Sequence, residues 1–209
     1  MQDDNWGENT TNLTNGNGNV SDVQQGLNLS GPLDDDNVAI VEQGGDNNTA
    51  VVRQLNERNL ADIFQSGNGN EARVESQGTG ISGGGNEDNS ADIDQTGNNN
   101  FASSNQPGED MTLSVLQSGN DNSSTSVQEG SDNDADVDQL GDGGFADVFQ
   151  TGASSNNFAT ITQEVTATAN IFGNTAEIVQ DDSTGSDADI TQRNGTDNAA
   201  AIAQGDTTT

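Results

Sequence analysis

The stretch from Gln95 to Gln150 decides the fold. In blocks of eleven it reads QTGNNNFASSN QPGEDMTLSVL QSGNDNSSTSV QEGSDNDADVD QLGDGGFADVF Q. Every block opens with glutamine, and all but the second place Ala or Ser four positions before the next glutamine. A fixed period of this kind is typical of repeat architectures, in which each unit buries a thin strip against its neighbours.

The same unit extends toward the N-terminus. From Gln43 the chain follows Gln-x-Gly-x-x-Asn-x-Ala-x-x-x-Gln, with Gly45, Asn48, Ala50 and Gln54 at the defined places. Within a unit, polar and apolar positions alternate with period two, which indicates a β-strand with one inward face. The Gly and Asn residues between strands favour tight turns, because they adopt positive φ angles easily.

We count fifteen strands, from Asn19–Gln25 to Asn198–Gln204. Two successive strands with their turns form one rung of 22 residues, so strand n stacks in parallel on strand n+2. The sequence therefore predicts an all-β fold, a β-solenoid of about seven two-stranded rungs built from 11-residue half-repeats and stacking into a cross-β fibre.

Inward amides and turn glycines are the candidate site residues of this fold. Stacked Asn and Gln side chains form ladders that satisfy one another's donors and acceptors. The predicted ladder and core residues are Gln25, Gln43, Asn48, Gln54, Asn59, Gln65, Asn70, Gln95, Asn100, Gln106, Gln117, Asn122, Gln128, Asn133, Gln139, Gln150, Asn157, Gln163, Gln180, Gln192, Asn198 and Gln204. The predicted turn residues are Gly45, Gly67, Gly97, Gly119, Gly130, Gly141 and Gly152.

Composition narrows the function classes. The chain has 209 residues, 35 acids against four basic residues, and a formal net charge of −31. Only 37 residues are Leu, Ile, Val or Phe, too few for an ordinary globular core, so the chain is either disordered or a repeat protein.

Without Cys and His, disulfides, thiolate metal sites and the commonest general base are excluded. We predict no enzyme activity, no cofactor, and no nucleic-acid or membrane partner, since such acidity repels both.

The repeat is interrupted in four places, which we interpret as loops: Gly26–Asp36, Gln77–Asp88, Ala153–Asn156 and Glu164–Gly173. We expect a disordered N-terminal arm at 1–18, the solenoid at 19–204 and a disordered tail at 205–209. The first thirty residues lack the apolar segment of a signal peptide, so an exported protein would be represented here by its mature form.

The motif resembles that of the curlin family, Ser-x5-Gln-x-Gly-x-x-Asn-x-Ala-x-x-x-Gln. Gln95, Gly97, Asn100, Ala102 and Gln106 match its second half position for position, and the resemblance covers about residues 19–204. It implies a subunit of an extracellular, amyloid, curli-type fibre in the biofilm matrix. It further implies secretion through an outer-membrane pore, the arm at 1–18 as targeting segment, and a nucleator subunit as partner. The acidity, the loops, and Met111 and Leu113 depart from the family pattern.

Two other classes of function compete with a fibre subunit. A calcium-binding β-roll, or another secreted acidic solenoid acting as an adhesin or ion-binding module, fits the Gly- and Asp-rich turns. However, a β-roll repeats every nine residues rather than eleven. An enzyme would have to use acid pairs such as Asp92 with Asp94 or Asp136 with Asp138. These are more simply explained as solvated outward positions of a strand.

The stacking rule also predicts neighbours on the outer surface. It places Arg53 beside Glu75, and Asp62 beside Asp92. It puts Asp92, Asp94, Asp136, Asp138 and Asp189 on the same sheet face. Because like charges favour the neutral acid, we expect mutual repulsion to raise the pKa of these carboxyl groups.

Overall fold

The computed structural model describes residues 9–25, 36–54, 58–77, 88–164, 173–193 and 197–205. These residues form sixteen strands in two parallel eight-stranded sheets. Sheet A contains the odd-numbered strands and sheet B the even-numbered ones, each in sequence order. In chain order the strands are β1 (Asn9–Asn15), β2 (Val20–Gln25), β3 (Val38–Gly44), β4 (Thr49–Gln54), β5 (Leu60–Asn68), β6 (Glu71–Gln77), β7 (Ser90–Asn98), β8 (Phe101–Asn105), β9 (Thr112–Ser118), β10 (Ser123–Gln128), β11 (Asp134–Leu140), β12 (Phe145–Thr151), β13 (Phe158–Glu164), β14 (Thr175–Asp181), β15 (Asp187–Arg193) and β16 (Ala199–Gly205).

This topology confirms the predicted all-β solenoid and its stacking rule. Each strand pairs in parallel with the strand two places along the chain, and the half-repeats align in register, as Gln65 aligns with Gln95 and Gln95 with Gln117. The fifteen predicted strands correspond to β2–β16, and β1 adds a sixteenth, so there are eight rungs rather than about seven. No described residue belongs to a helix that is long and apolar enough to cross a membrane.

The first strand corrects the prediction of a disordered arm at 1–18. Asn9–Asn15 pairs along its whole length with β3, from Asn9 against Val38 to Asn15 against Gly44. Pairing at a parallel edge uses backbone groups, which every residue except proline supplies, so a strand can form there without the repeat motif. Residues 1–8 of the arm, residues 206–209 of the tail, and most of the loops at Gly26–Asp36, Gln77–Asp88 and Glu164–Gly173 lie outside the described residues.

The core is a narrow apolar strip between the two sheets. Most strands contribute a small residue followed two places later by a larger one, as in Ala61 with Ile63, which are both fully buried. Because the two strands of a rung run in opposite directions, the small residue of one faces the larger residue of the other. This arrangement lets the sheets approach closely at native packing density.

One rung departs from this order, because β9 contributes two larger inward residues and β10 two small ones. In β9, Leu113 occupies the position of the usual Ala, and in β10, Ser126 occupies the position of the usual Val or Ile; both are 1% exposed. The antiparallel course of the rung sets Leu113 across from Ser126, so a large residue still faces a small one. The departure seen in the sequence at Leu113 is therefore a compensated exchange within one rung.

Candidate functional site: the amide ladders and the outer acid face

Glutamines form an unbroken hydrogen-bonded column along sheet A. The Nε2 of Gln43 donates to Oε1 of Gln65 (2.9 Å), and Gln65 in turn donates to Gln95 (2.8 Å). The same contact continues through Gln117, Gln139, Gln163 and Gln192 at 2.8 to 3.0 Å. The bond from Gln65 to Gln95 spans 30 residues and the one from Gln43 to Gln65 spans 22, so insertions between rungs leave the column intact.

Each glutamine also ties the two sheets together. The second N–H of Gln95 donates to the carbonyl of Glu71 in the facing sheet (3.0 Å), and that of Gln117 to the carbonyl of Phe101 (2.8 Å). The buried amide nitrogen thus satisfies both of its donors, one along the column and one across the core. This bond across the core was not predicted from the sequence.

The corresponding glutamines of sheet B are described in two segments. The longer segment is a chain at 2.8 to 3.0 Å that joins Gln106, Gln128, Gln150, Gln180 and Gln204. Gln25 donates to Gln54 at 2.7 Å in a separate segment. Between these segments, β6 has Ser76 where the other strands have glutamine, and Gln54 aligns instead with Gln77 through a register shift.

The inward asparagines bind backbone rather than forming a simple amide stack. In sheet B, Oδ1 of Asn48 accepts the backbone N–H of Asn70 (2.9 Å), and Oδ1 of Asn70 accepts that of Asn100 (3.0 Å). Their Nδ2 groups donate to the carbonyls of Gly67 and Gly97, both at 2.9 Å. The same Oδ1 contact to the next rung occurs at Asn100, Asn122, Asn133 and Asn157. Each asparagine therefore contacts a turn through its Nδ2 group, and the start of the paired strand in the next rung through its Oδ1 atom.

Two further predicted asparagines, Asn59 and Asn198, also lie in columns of this kind. Each donates its backbone N–H to the asparagine of the preceding rung. Asn59, in the sheet A column, is 1% exposed and its own backbone N–H donates to Asn37 Oδ1 (2.9 Å). Asn198, in the last rung, is half-buried and its backbone N–H donates to Asn174 Oδ1 (3.1 Å).

The turn glycines stack in a column that leaves no room for a side chain. A Cβ on Gly67 would lie 1.8 Å from the carbonyl oxygen of Gly97 in the next rung. Backbone atoms cannot yield at that distance, so larger residues are excluded there whatever their φ preference. All seven predicted turn glycines have positive φ angles: Gly45, Gly67, Gly97, Gly119, Gly130, Gly141 and Gly152.

Sequence reasoning missed several members of these columns. Asn37, Asn89 and Asn174 are buried at the same strand-start position as the predicted asparagines. A further ladder follows the turns, where the backbone N–H of Asn98 donates to Oδ1 of Asn120 and that of Asn120 to Oδ1 of Asp142, at 3.1 and 2.7 Å. The recurring Asn or Asp directly after the turn glycine carries this signal in the sequence, in Gly67-Asn68, Gly97-Asn98, Gly119-Asn120 and Gly141-Asp142.

The outer face of sheet A is acidic, and the predicted neighbours lie where expected. Asp62 aligns with Asp92 in the paired strands β5 and β7. Desolvation against the sheet raises the pKa of both carboxyl groups, and the charge of Asp94 is the next cause in each case. Repulsion between Asp62 and Asp92 was expected to be the main cause and is only a lesser one. Desolvation is likewise the largest cause of the raised pKa of Asp94, Asp134 and Asp138.

Sheet B carries the predicted ion pair. Arg53 Nη1 lies 3.1 Å from Glu75 Oε1, and Arg73 contacts both Glu75 and Glu71. These side chains are 35 to 43% exposed, so the cluster is a surface feature. Across the described residues, no group of three or more acidic side chains is arranged to hold a metal ion.

Comparison with protein families gives a match to the curlin associated repeat. The family model matches three overlapping segments, at residues 87–125, 108–141 and 130–164. Together they cover the rungs in which the glutamine period is strictest. Comparison with curated proteins and with solved structures gave no match. The curlin repeat is a structural unit of curli-type subunits rather than an enzyme family. Over residues 87–164, which include strands β7 to β13, the chain is similar to the curlin associated repeat.

Proposed function

We propose that this chain is the structural subunit of an extracellular curli-type amyloid fibre, in which copies join end to end and contribute to biofilm matrix and adhesion. One observation carries the proposal: the described solenoid has no capping helix at either end. Its outermost strands, β1 and β2 at one end and β15 and β16 at the other, have a partner strand on one side only. Unpaired backbone N–H and C=O groups on such edges template the addition of another chain.

The charge of the chain fits this role. A net charge of −31 keeps unassembled copies apart in solution, and it disfavours nucleic acid and anionic membranes as partners. The partner we propose is another copy of the same chain, together with a nucleator subunit and an outer-membrane secretion pore. The N-terminal segment before the solenoid is proposed as the targeting arm.

The test is to incubate the purified protein at high concentration without seeds, and to record cryo-electron micrographs and fibre diffraction. We expect filaments with a reflection near 4.7–4.8 Å along the fibre axis. A protein that stays monomeric would overturn the proposal. Circular dichroism with calcium and with a chelator serves as control, since a calcium-dependent β-roll would lose its strands without the ion.

A further inference from the structure

At the C-terminal end, the inward strand residues left incompletely buried lie in sheet B. In β16, Ala200, Ile202 and Gln204 are half-buried. In β15, the last strand of sheet A, Ala188 and Ile190 are already only 3% and 5% exposed. The inward positions of β2, which are Ser21, Val23 and Gln25, are half-buried as well. At the C-terminal end, stacking another copy would therefore bury apolar surface chiefly on sheet B.

At the N-terminal end of sheet A, the first strand lacks the glutamine of the column. Thr14 of β1 stands at the register position of Gln43, where every later strand of sheet A has glutamine. Oε1 of Gln43 is buried and accepts no hydrogen bond, whereas the corresponding oxygens of Gln65 and Gln95 each accept one from the preceding rung. The column of sheet A thus begins at Gln43, one strand short of the first described strand.

The hydrogen bonds of each glutamine column all run toward the C-terminal end of the chain. This direction fixes which end of one copy fits which end of the next. Each Nε2 donates to the next rung along the chain, as Gln180 donates to Gln204 (2.8 Å). Gln204 uses one N–H on the carbonyl of Asp187 (2.9 Å), and an amide nitrogen carries two. In sheet B the next place in the column is the glutamine of a following β2, which is Gln25.

We propose that the side-chain ladder crosses the junction between two copies only in sheet B, a refinement that rests on the proposed function. Strand β16 of one copy pairs in parallel with β2 of the next. Continuing the β14–β16 and β2–β4 registers stacks Ile202 on Val23 and Gln204 on Gln25. The polar strand β1 closes the same end of sheet A to the ladder. The surface recognised is thus the edge of sheet B, and its partner is a second copy in head-to-tail orientation.

The test compares Gln204→Ala with Gln192→Ala, a matched pair. Each glutamine ends its column, accepts from one glutamine and donates to one carbonyl of the facing sheet. Both variants therefore lose the same bonds within the chain. In seeded growth followed by thioflavin fluorescence, we expect Gln204→Ala to slow elongation roughly tenfold more than Gln192→Ala, because only the former loses a buried bond at the junction. Equal slowing would overturn the inference.

Restoring the column in sheet A is the converse experiment. Thr14→Gln gives β1 the missing amide, so we expect faster elongation than in the parent. In the Thr14→Gln background we also expect Gln192→Ala to slow growth as much as Gln204→Ala does in the parent. If Thr14→Gln leaves both the rate and the effect of Gln192→Ala unchanged, sheet A is not closed by β1.

Cysteine cross-linking tests which residues are neighbours at the junction without any change in the core. The chain contains no cysteine that would form competing disulfides. Ala203 and Gln24 are exposed, and the continued register makes them neighbours across the junction. Mixed fibres of Ala203→Cys and Gln24→Cys should give the mixed disulfide dimer. Asp22→Cys in place of Gln24→Cys, two residues out of register, should give little. Ala203→Cys homodimers as the main product would overturn the head-to-tail junction. Absence of fibres from the parent protein would instead overturn the proposed function itself.

Discussion

Sheet A and sheet B are built from the same half-repeat, yet they differ in their buried glutamine columns and in the charge of their outer faces. Sheet A has the unbroken glutamine column from Gln43 to Gln192 and the more acidic outer surface. Its outward acids are Glu42, Asp62, Asp92, Asp94, Asp134, Asp136, Asp138, Glu164, Asp187 and Asp189, of which Glu164 forms an ion pair with Arg193. Sheet B has a register shift that aligns Gln54 with Gln77, and it has the Arg53 and Arg73 cluster. Its buried hydroxyls at Ser104, Ser124 and Ser126 have no hydrogen-bond partner.

The contrast shows that a regular hydrogen-bonded column in the core does not require a low charge on the outer face of the same sheet. A complete amide column can hold a sheet whose outer face repels itself, because the column is buried and the acids remain partly solvated. Sheet B has the less regular core, with the register shift and the serines without a partner. However, it carries less charge on its outer face, and its last strand β16 is less buried than β15 of sheet A. The following variants are chosen to alter this difference.

The largest effect is expected from breaking the column of sheet A. Gln139→Ala removes its bonds to Gln163 and to the carbonyl of Ser123, both 3.0 Å, and the bond that it accepts from Gln117. Buried groups left without partners cost about 1–3 kcal/mol each, so we expect the free energy of unfolding to fall by at least ~3 kcal/mol. Denaturant titration of the freshly refolded protein at low concentration measures this loss.

The neighbouring outward residue supplies the control for that experiment. Asp138→Asn keeps the shape of the side chain and changes only an outer charge, so its effect should stay within roughly 0.5 kcal/mol. If Asp138→Asn destabilised the protein as much as Gln139→Ala does, the assigned facing of β11 would be wrong.

The acids of sheet A should make stability depend on pH. Glu42 of β3 and Asp92 and Asp94 of β7 lie on the strands that flank Asp62. Desolvation, followed by the charges of Asp94 and Glu42, raises the pKa of Asp62. A group whose pKa is raised on folding favours the folded state fully below its unfolded pKa, about 3.9 for Asp. That contribution is lost as pH rises through the folded-state pKa. Stability and assembly rate should therefore increase from pH 7 toward pH 4, and also with salt at pH 7.

Removing the acids should flatten this profile. We expect the Asp62→Asn, Asp92→Asn double variant to be more stable than the parent at pH 7 and less sensitive to pH. The control is Asp22→Asn with Glu177→Gln, which removes two negative charges from the outer face of sheet B. Denaturation midpoints and assembly lag times from pH 4 to 8 are the measurement. A profile unchanged by the sheet A variant would show that these carboxyl groups do not set the pH dependence.

A smaller effect is expected from repairing the core of sheet B. Ser124 is fully buried in a row where the adjacent strands have Ala102 and Ala146. Ser124→Ala removes a hydroxyl without a partner, and we expect it to raise the free energy of unfolding by about 1 kcal/mol. The reciprocal change in sheet A, Ala135→Ser, should lower it by a similar amount. Destabilisation by Ser124→Ala would mean that its hydroxyl is bonded in solution.

Much of this arrangement was predictable because one period controls it. Alternation assigns the inward face, and the eleven-residue spacing assigns the register, so the contacts of Arg53 with Glu75 and of Asp62 with Asp92 followed from the sequence. Strand β1 did not follow, because backbone pairing at an edge requires no side-chain motif. The bond of Gln95 across the core to Glu71 was missed because alternation gives a face but not the depth to which a side chain reaches.

The smallest effect expected is that of the ion pair on sheet B, and its use is to mark register. Arg53 and Glu75 are 43% and 36% exposed at a separation of 3.1 Å, and Arg73 also lies within reach of Glu75 at 3.6 Å. Exposed pairs contribute about 0.2–1 kcal/mol, so a double-mutant cycle with Arg53→Gln and Glu75→Gln should give a coupling of roughly 0.5 kcal/mol. Arg73 should retain part of the interaction of Glu75 when Arg53 is replaced, which keeps the coupling low. The coupling should fall further at 1 M salt, where the Debye length is about 3 Å. A coupling of zero at low salt would show that Arg53 and Glu75 do not interact appreciably in solution. A coupling that survives high salt would place the pair in a more buried position than the outer face of sheet B.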